Sequence, residues 1–64
     1  MPSAMLDYTK EILNKVSFDA QLFARELAKA VQILQPHELD ELKEFIMVLC
    51  RQNPQLRPSL VHIQ

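Results

Sequence analysis

The side chains best suited to chemistry in this 64-residue chain are one cysteine and two histidines. His37 and Glu41 are four residues apart, which brings both to one face of a helix, as zinc sites require. Two ligands do not complete a metal site, and His62 would have to reach them from a tail of open course. Carboxylates early in a helix are also expected from the helix dipole alone. We therefore expect no metal and no other cofactor.

Cys50 would act as a nucleophile only if a base lay nearby and its thiolate were stabilised. No histidine is near it in the same predicted helix, and the chain has no glycine with which to build an oxyanion-binding loop. Cysteines beside an apolar helix seam are usually buried side chains that only pack. We expect no catalytic residue and no enzyme.

The charge balance limits the possible partners. Seven Lys and Arg residues oppose eight Asp and Glu residues, which leaves a net charge of -1. No overall field then attracts phosphates or anionic lipid, so nucleic acid is not an expected partner. The sequence shows no secretory signal, no membrane span and no cysteine pair, and these features favour a cytoplasmic protein without membrane contact.

The elements that position these side chains are three predicted helices in a single domain, residues 1–64. Apolar residues recur at spacings of three and four, which is the helical period. The pattern predicts a short N-terminal helix from about Leu6 to Lys15, then two long helices at about 17–35 and 36–52. Residues 1–5 and 54–64 are predicted to be less ordered.

The boundaries of the long helices follow from residues that cap or interrupt a helix. Ser17 is a suitable N-cap for the second helix. Pro36 ends that helix but suits the first turn of the next one, so the chain must reverse near Gln35. A connection this short predicts an antiparallel αα-hairpin. The fold class is therefore all-α, a three-helix bundle that dimerisation could complete.

The segment after Asn53-Pro54 has no clear period. It contains Arg57-Pro58 and then the apolar residues Leu60, Val61 and Ile63. Three courses are open: a short helix from Pro58, an extended arm packed on the bundle or on a partner, or disorder.

The apolar residues exceed what one helical hairpin can cover. Each long helix carries an apolar seam, and the second also carries a ridge of small residues, Ala20, Ala24 and Ala28, which would let a neighbouring backbone approach closely. The surplus favours self-association over a monomer that closes alone. The predicted interaction residues are Leu22, Phe23, Ala24, Leu27, Phe45, Ile46 and Leu49.

The run Tyr8-Thr9-Lys10, followed by Val16-Ser17-Phe18-Asp19, resembles short uncharacterised bacterial proteins that share these elements. The likeness covers roughly residues 8–49. It implies a compact helical protein without an assigned role, and it supplies no catalytic or ligand-binding residue.

These patterns favour a noncatalytic helical module for protein–protein interaction or assembly, most simply a homodimer, with a further protein partner left open. The alternative is a small dimeric regulator that binds nucleic acid through Lys10, Lys15, Arg25 and Lys29. The balance of charges opposes that alternative, because the four cations would have to converge on one face away from the acidic cluster early in the third helix, which is Glu38, Asp40, Glu41 and Glu44. That cluster could also pair with Arg25 and Lys29, within the hairpin or between chains. The biological process and the identity of the partner do not follow from the sequence.

Overall fold

The computed structural model describes residues 4–63, which form four helices in chain order. These are α1 (Ala4–Lys15), α2 (Ala20–Ile33), α3 (Pro36–Gln52) and a C-terminal 3-10 helix, η1 (Pro54–His62). The described part of the chain contains no strand, so the predicted all-α bundle is confirmed.

The start of α2 differs from the predicted position. Asp19, not Ser17, is the N-cap, and its carboxylate accepts hydrogen bonds of 3.1 Å from the amides of Gln21 and Leu22. The hydroxyl of Ser17 instead donates to the carbonyl of Asn14, 2.9 Å away, at the end of α1. A side-chain acceptor at the N-cap satisfies amides that have no partner within the helix. Residues 16–19 therefore form a turn rather than the first residues of α2.

The predicted range of α3 is confirmed at both ends. Pro36 is its first residue, and the carboxylate of Glu38 accepts a 2.9 Å hydrogen bond from the amide of Gln35, as in a capping box. At the other end, the amide of Asn53 donates to the carbonyl of Leu49 before Pro54 interrupts the helix. Only Leu34 and Gln35 separate α2 from α3, as the short predicted connection requires. The main backbone contacts of both helices are nevertheless with α1 and η1, so the close side-by-side packing predicted for an αα-hairpin is not what holds them.

The packing includes the C-terminal segment, whose course the sequence left open. α1 contacts both α2 and α3, and η1 packs against both long helices. The most extensive backbone contacts of α2 are with η1. The C-terminal segment is therefore an integral part of the bundle.

Of the three courses left open, the tail takes the helical one, but the helix begins at Pro54, four residues before Pro58. Leu56 is only 1% exposed, and the buried hydroxyl of Ser59 donates a 2.6 Å hydrogen bond to the carbonyl of Leu56. Segment 54–63 thus contributes side chains to the core, and Ala4 and Met5, which were also predicted to be less ordered, lie in α1. The predictions for residues 1–3 and 64 lie outside the described residues.

The core collects side chains from all four helices and from the residues that flank them. Its members are at most 9% exposed. They are Leu6, Leu13, Phe23, Leu27, Ala30, Leu34, Leu42, Ile46, Leu49, Cys50, Leu56 and Ile63.

Candidate interaction surface

An apolar groove lies between α1 and α2. Met5 and Tyr8 contribute from α1 and Ile33 from α2, and the groove has a volume of about 430 Å³ including its open mouth. The spacing of α1 explains its position, because Met5, Tyr8 and Ile12 are three and four residues apart and share one face. Leu6 and Leu13 occupy a neighbouring face and point into the core. α1 thus offers more apolar surface than its own core uses.

Three of the large apolar side chains that line this groove are exposed to water. Met5 is 48% exposed, Tyr8 59% and Ile33 60%. Single exposed apolar side chains are ordinary, whereas several gathered at one groove are typical of a surface that binds a protein or an apolar ligand.

The floor of the groove carries no free polar group. The hydroxyl of Thr9 is buried and donates a 2.7 Å hydrogen bond to the carbonyl of Met5, one turn earlier in α1. Leu13 and Ala30 complete the floor. A small polar ligand would find no directional partner here, so the groove suits apolar side chains.

Charged side chains lie on the α2 side of the groove. The ammonium of Lys29 is 3.6 Å from the carboxylate of Glu26, one turn away on the same helix. The Lys29 side chain is 65% exposed, so this pair contributes little to stability and its lysine can turn toward another partner.

The structure places the predicted interaction residues in two groups. Phe23, Leu27 and Ile46 have no exposed surface, and Leu49 is 5% exposed. These four side chains pack inside the chain's own core, so we no longer assign them as surface contacts. The other three, Leu22, Ala24 and Phe45, are partly exposed and stay predicted contact residues.

The three residues of the alanine ridge differ in their exposure. Ala20 is exposed, whereas Ala24 and Ala28 are half-buried on α2. Its proposed role in a close helix contact stays a prediction.

The sequence interpretation did not name Met5, Tyr8 and Ile33 as candidate contact residues. A signal existed for Tyr8, which begins a stripe of residues four apart with Ile12 and Val16. Ile33 lies next to the seam of α2 rather than on it. The exposure of Ile33 depends on where α1 packs on α2, and the local sequence pattern does not predict that packing.

Within the described chain, Arg25 and Lys29 do not pair with the acidic residues early in α3, and their pairing between chains stays a prediction. Lys10 of α1 takes that place, with its ammonium 3.7 Å from the Glu41 carboxylate and 5.8 Å from the centre of the Phe45 ring. Attraction to both the carboxylate and the face of the ring links α1 to α3.

Cys50 is buried in the core, where it is 4% exposed. Burial raises the pKa of its thiol, and the nearby positive charge of Arg57 opposes part of that effect. Its position inside the core fits packing, as the sequence suggested. Among residues 4–63, no group of three or more His, Cys, Asp or Glu side chains is arranged to hold a metal ion.

Across residues 4–63, none of the helices combines the length and the apolar character needed to cross a bilayer. No family model matches the chain, and no curated protein or solved structure is significantly similar to it. The resemblance of the Val-Ser-Phe-Asp element to short bacterial proteins therefore stays a prediction.

Proposed function

We propose that this protein is a noncatalytic module for protein–protein interaction or assembly, and that it binds through the α1–α2 groove. The observation that carries this proposal is the gathering of Met5, Tyr8 and Ile33, each about half exposed or more, around one apolar groove. Covering such side chains removes apolar surface from water, which is the main driving force of protein association. A cytoplasmic setting belongs to the same proposal, because the chain's single cysteine is a free, buried thiol.

The nucleic-acid alternative gains no support from the positions of its four cations. Lys10 pairs with Glu41 on one side of α1, and Lys29 pairs with Glu26 on α2. Phosphate binding would require these cations to converge on one surface without carboxylates beside them. The positions of these cations therefore favour the interaction module over a nucleic-acid-binding regulator.

The test is the apparent size of the protein in an extract of the cells that encode it, at its natural level of expression. We expect the wild-type chain to migrate well above 7.4 kDa, the mass of one copy. The variant Ile33→Gln should migrate as a single chain, because it removes apolar surface from the groove without adding charge.

Val61→Gln is the matched control. Val61 is 66% exposed on η1 and does not line the groove, so this variant should keep the wild-type size. Circular dichroism should show equal helix content for all three proteins. Migration of the wild-type chain as a single 7.4 kDa species in the extract would contradict the proposal.

A further inference from the structure

We infer that the depression between α1 and α3 binds an arginine-bearing peptide segment of another protein, with the arginine on Glu11 and an apolar neighbour on Phe45 and Val48. This surface shares no lining residue with the α1–α2 groove, so the inference goes beyond the function proposed above. The depression has a volume of about 710 Å³ including its open mouth. That volume lies within the range of ligand-binding sites.

The α3 wall of the depression is apolar. Phe45 and Val48 line it, three residues apart on one face of the helix. Phe45 is partly buried and packs against the core, so its ring is held in place. Val48 is 48% exposed. A partner's apolar side chain that covers Val48 removes this surface from water.

The uncompensated charge of the depression is negative. The charged residues that line it are Lys10 and Glu11. The Lys10 ammonium is already engaged, because it lies 3.7 Å from the Glu41 carboxylate and 5.8 Å from the centre of the Phe45 ring. Glu11 is exposed and makes no ion pair within the described part of the chain. The complementary group is therefore a cation.

The chemistry of the depression suits arginine better than lysine or a metal ion. A guanidinium group is weakly hydrated and donates two parallel N–H bonds to one carboxylate. Its methylene stem can lie along an apolar wall such as Val48. A metal ion would need further ligands, and no group of three or more His, Cys, Asp or Glu side chains within residues 4–63 is arranged to hold one.

Two side-chain amides favour a peptide over a small organic cation. Asn14 lines the depression near the end of α1, and Gln52 lines it at the end of α3. Both residues are exposed, and neither side-chain amide makes a hydrogen bond within the described residues. An amide both donates and accepts, as a peptide group does, so each can pair with the backbone of a bound segment.

The experiment titrates the purified full chain with blocked pentapeptides and follows the backbone amide signals by NMR. The probe is acetyl-Ser-Leu-Arg-Leu-Ser-amide, and the matched peptide has glutamine in place of arginine. We expect the probe to shift the signals of Glu11 and Val48 and to leave that of Ile33 in place. The glutamine peptide should bind about two- to fivefold more weakly, the usual contribution of one exposed ion pair.

Two pairs of variants separate the charge from the apolar contact. Glu11→Gln should weaken binding of the probe about two- to fivefold and leave binding of the glutamine peptide unchanged. Asp40→Asn removes the same charge at an exposed position of α3 outside the depression, so it should bind the probe as the wild type does.

Val48→Gln should weaken binding of both peptides about fourfold, the effect of about one buried methylene group. Val61→Gln makes the same exchange on η1, outside the depression, and should change neither affinity. Circular dichroism checks that all variants keep the helix content of the wild type.

Four results would overturn the inference. The signals of Glu11 and Val48 stay in place up to about 5 mM probe, or the affinity is the same in the wild type, Glu11→Gln and Val48→Gln. Acetyl-arginine-amide alone binds as tightly as the probe, which would mean that the site takes a small cation. Finally, the same signals shift with protein concentration without any peptide, which would mean that a second copy of this chain covers the depression.

Discussion

The substitution Leu56→Ala tests whether η1 is part of the folded core. Leu56 lies in the segment that the sequence left undecided, yet it is only 1% exposed and belongs to the core cluster. Exchange of leucine for alanine removes three carbon groups from this position. If the tail were a loose arm, the change would have little effect.

The expected magnitude follows from this burial. Three buried carbon groups account for about 2.4 kcal/mol of transfer free energy, at about 0.8 kcal/mol each. The cavity left behind adds to that loss, and comparable leucine substitutions cost about 2 to 5 kcal/mol. We expect a loss of about 3 kcal/mol for Leu56→Ala. In a domain of this size, that loss lowers the Tm by roughly 12 to 24 °C.

The assay is thermal unfolding followed by circular dichroism, with all proteins at one fixed concentration because association shifts the Tm. Val61→Ala is the matched control in the same 3-10 helix. Val61 is 66% exposed, so its truncation should change stability by less than about 0.5 kcal/mol. A Tm for Leu56→Ala within about 2 °C of wild type would refute the packing of η1 described above.

Three further predictions concern a helix cap, an ion pair and the buried thiol. Asp19→Ala should cost about 1 kcal/mol in urea unfolding because two amides of α2 lose their acceptor, whereas Ser17→Ala should cost less; equal losses would contradict the assignment of the cap. Lys10→Gln should lower the free energy of unfolding by no more than about 1 kcal/mol, and high salt should shrink the difference, because the Glu41 carboxylate that it contacts is 66% exposed; a loss that is independent of salt would point to a different role. Burial disfavours the thiolate, so the pKa of the Cys50 thiol is higher in the folded chain than in the unfolded one. The buried thiol therefore contributes its full stability below the unfolded pKa of about 8.5, and this contribution is lost as pH rises from there toward the folded pKa. The free energy of unfolding, measured from pH 7 to 10, should show this added loss in the wild-type chain and not in Cys50→Ala. Equal pH profiles for the two proteins would contradict the prediction.

The sequence predicted the ends of α3 because a proline lies at each end, and proline disrupts the interior of a helix. Pro36 cannot lie inside a helix, and Asn53-Pro54 ends one. The start of α2 was harder, because Ser17 and Asp19 are both good N-caps and lie two residues apart. Only the path of the turn decides which of them reaches the free amides.

The course of η1 could not be predicted from periodicity. A 3-10 helix has three residues per turn rather than 3.6, so its apolar residues do not give the pattern of an α-helix. The sequence pattern around Leu56 therefore does not indicate that this side chain is buried. It is buried because η1 packs against α2 and α3, which are distant in sequence.

The groove was partly predictable. A surplus of apolar residues follows from composition and from the stripe that begins at Tyr8. The sequence alone did not predict which apolar residues lie at the surface. Phe23, Leu27 and Ile33 are equally suitable for contact with a partner until the packing of the helices is known. Three-dimensional packing assigns the first two to the core and leaves Ile33 at the surface.

The most direct test of the central claim is the solution mass of the purified wild-type chain as its concentration is raised. Association through the α1–α2 groove predicts a mass that approaches twice 7.4 kDa, and Ile33→Gln should hold it near 7.4 kDa over the same range. A wild-type mass that stays at 7.4 kDa up to about 1 mM would contradict self-association, since affinity weaker than that supplies only about 4 kcal/mol.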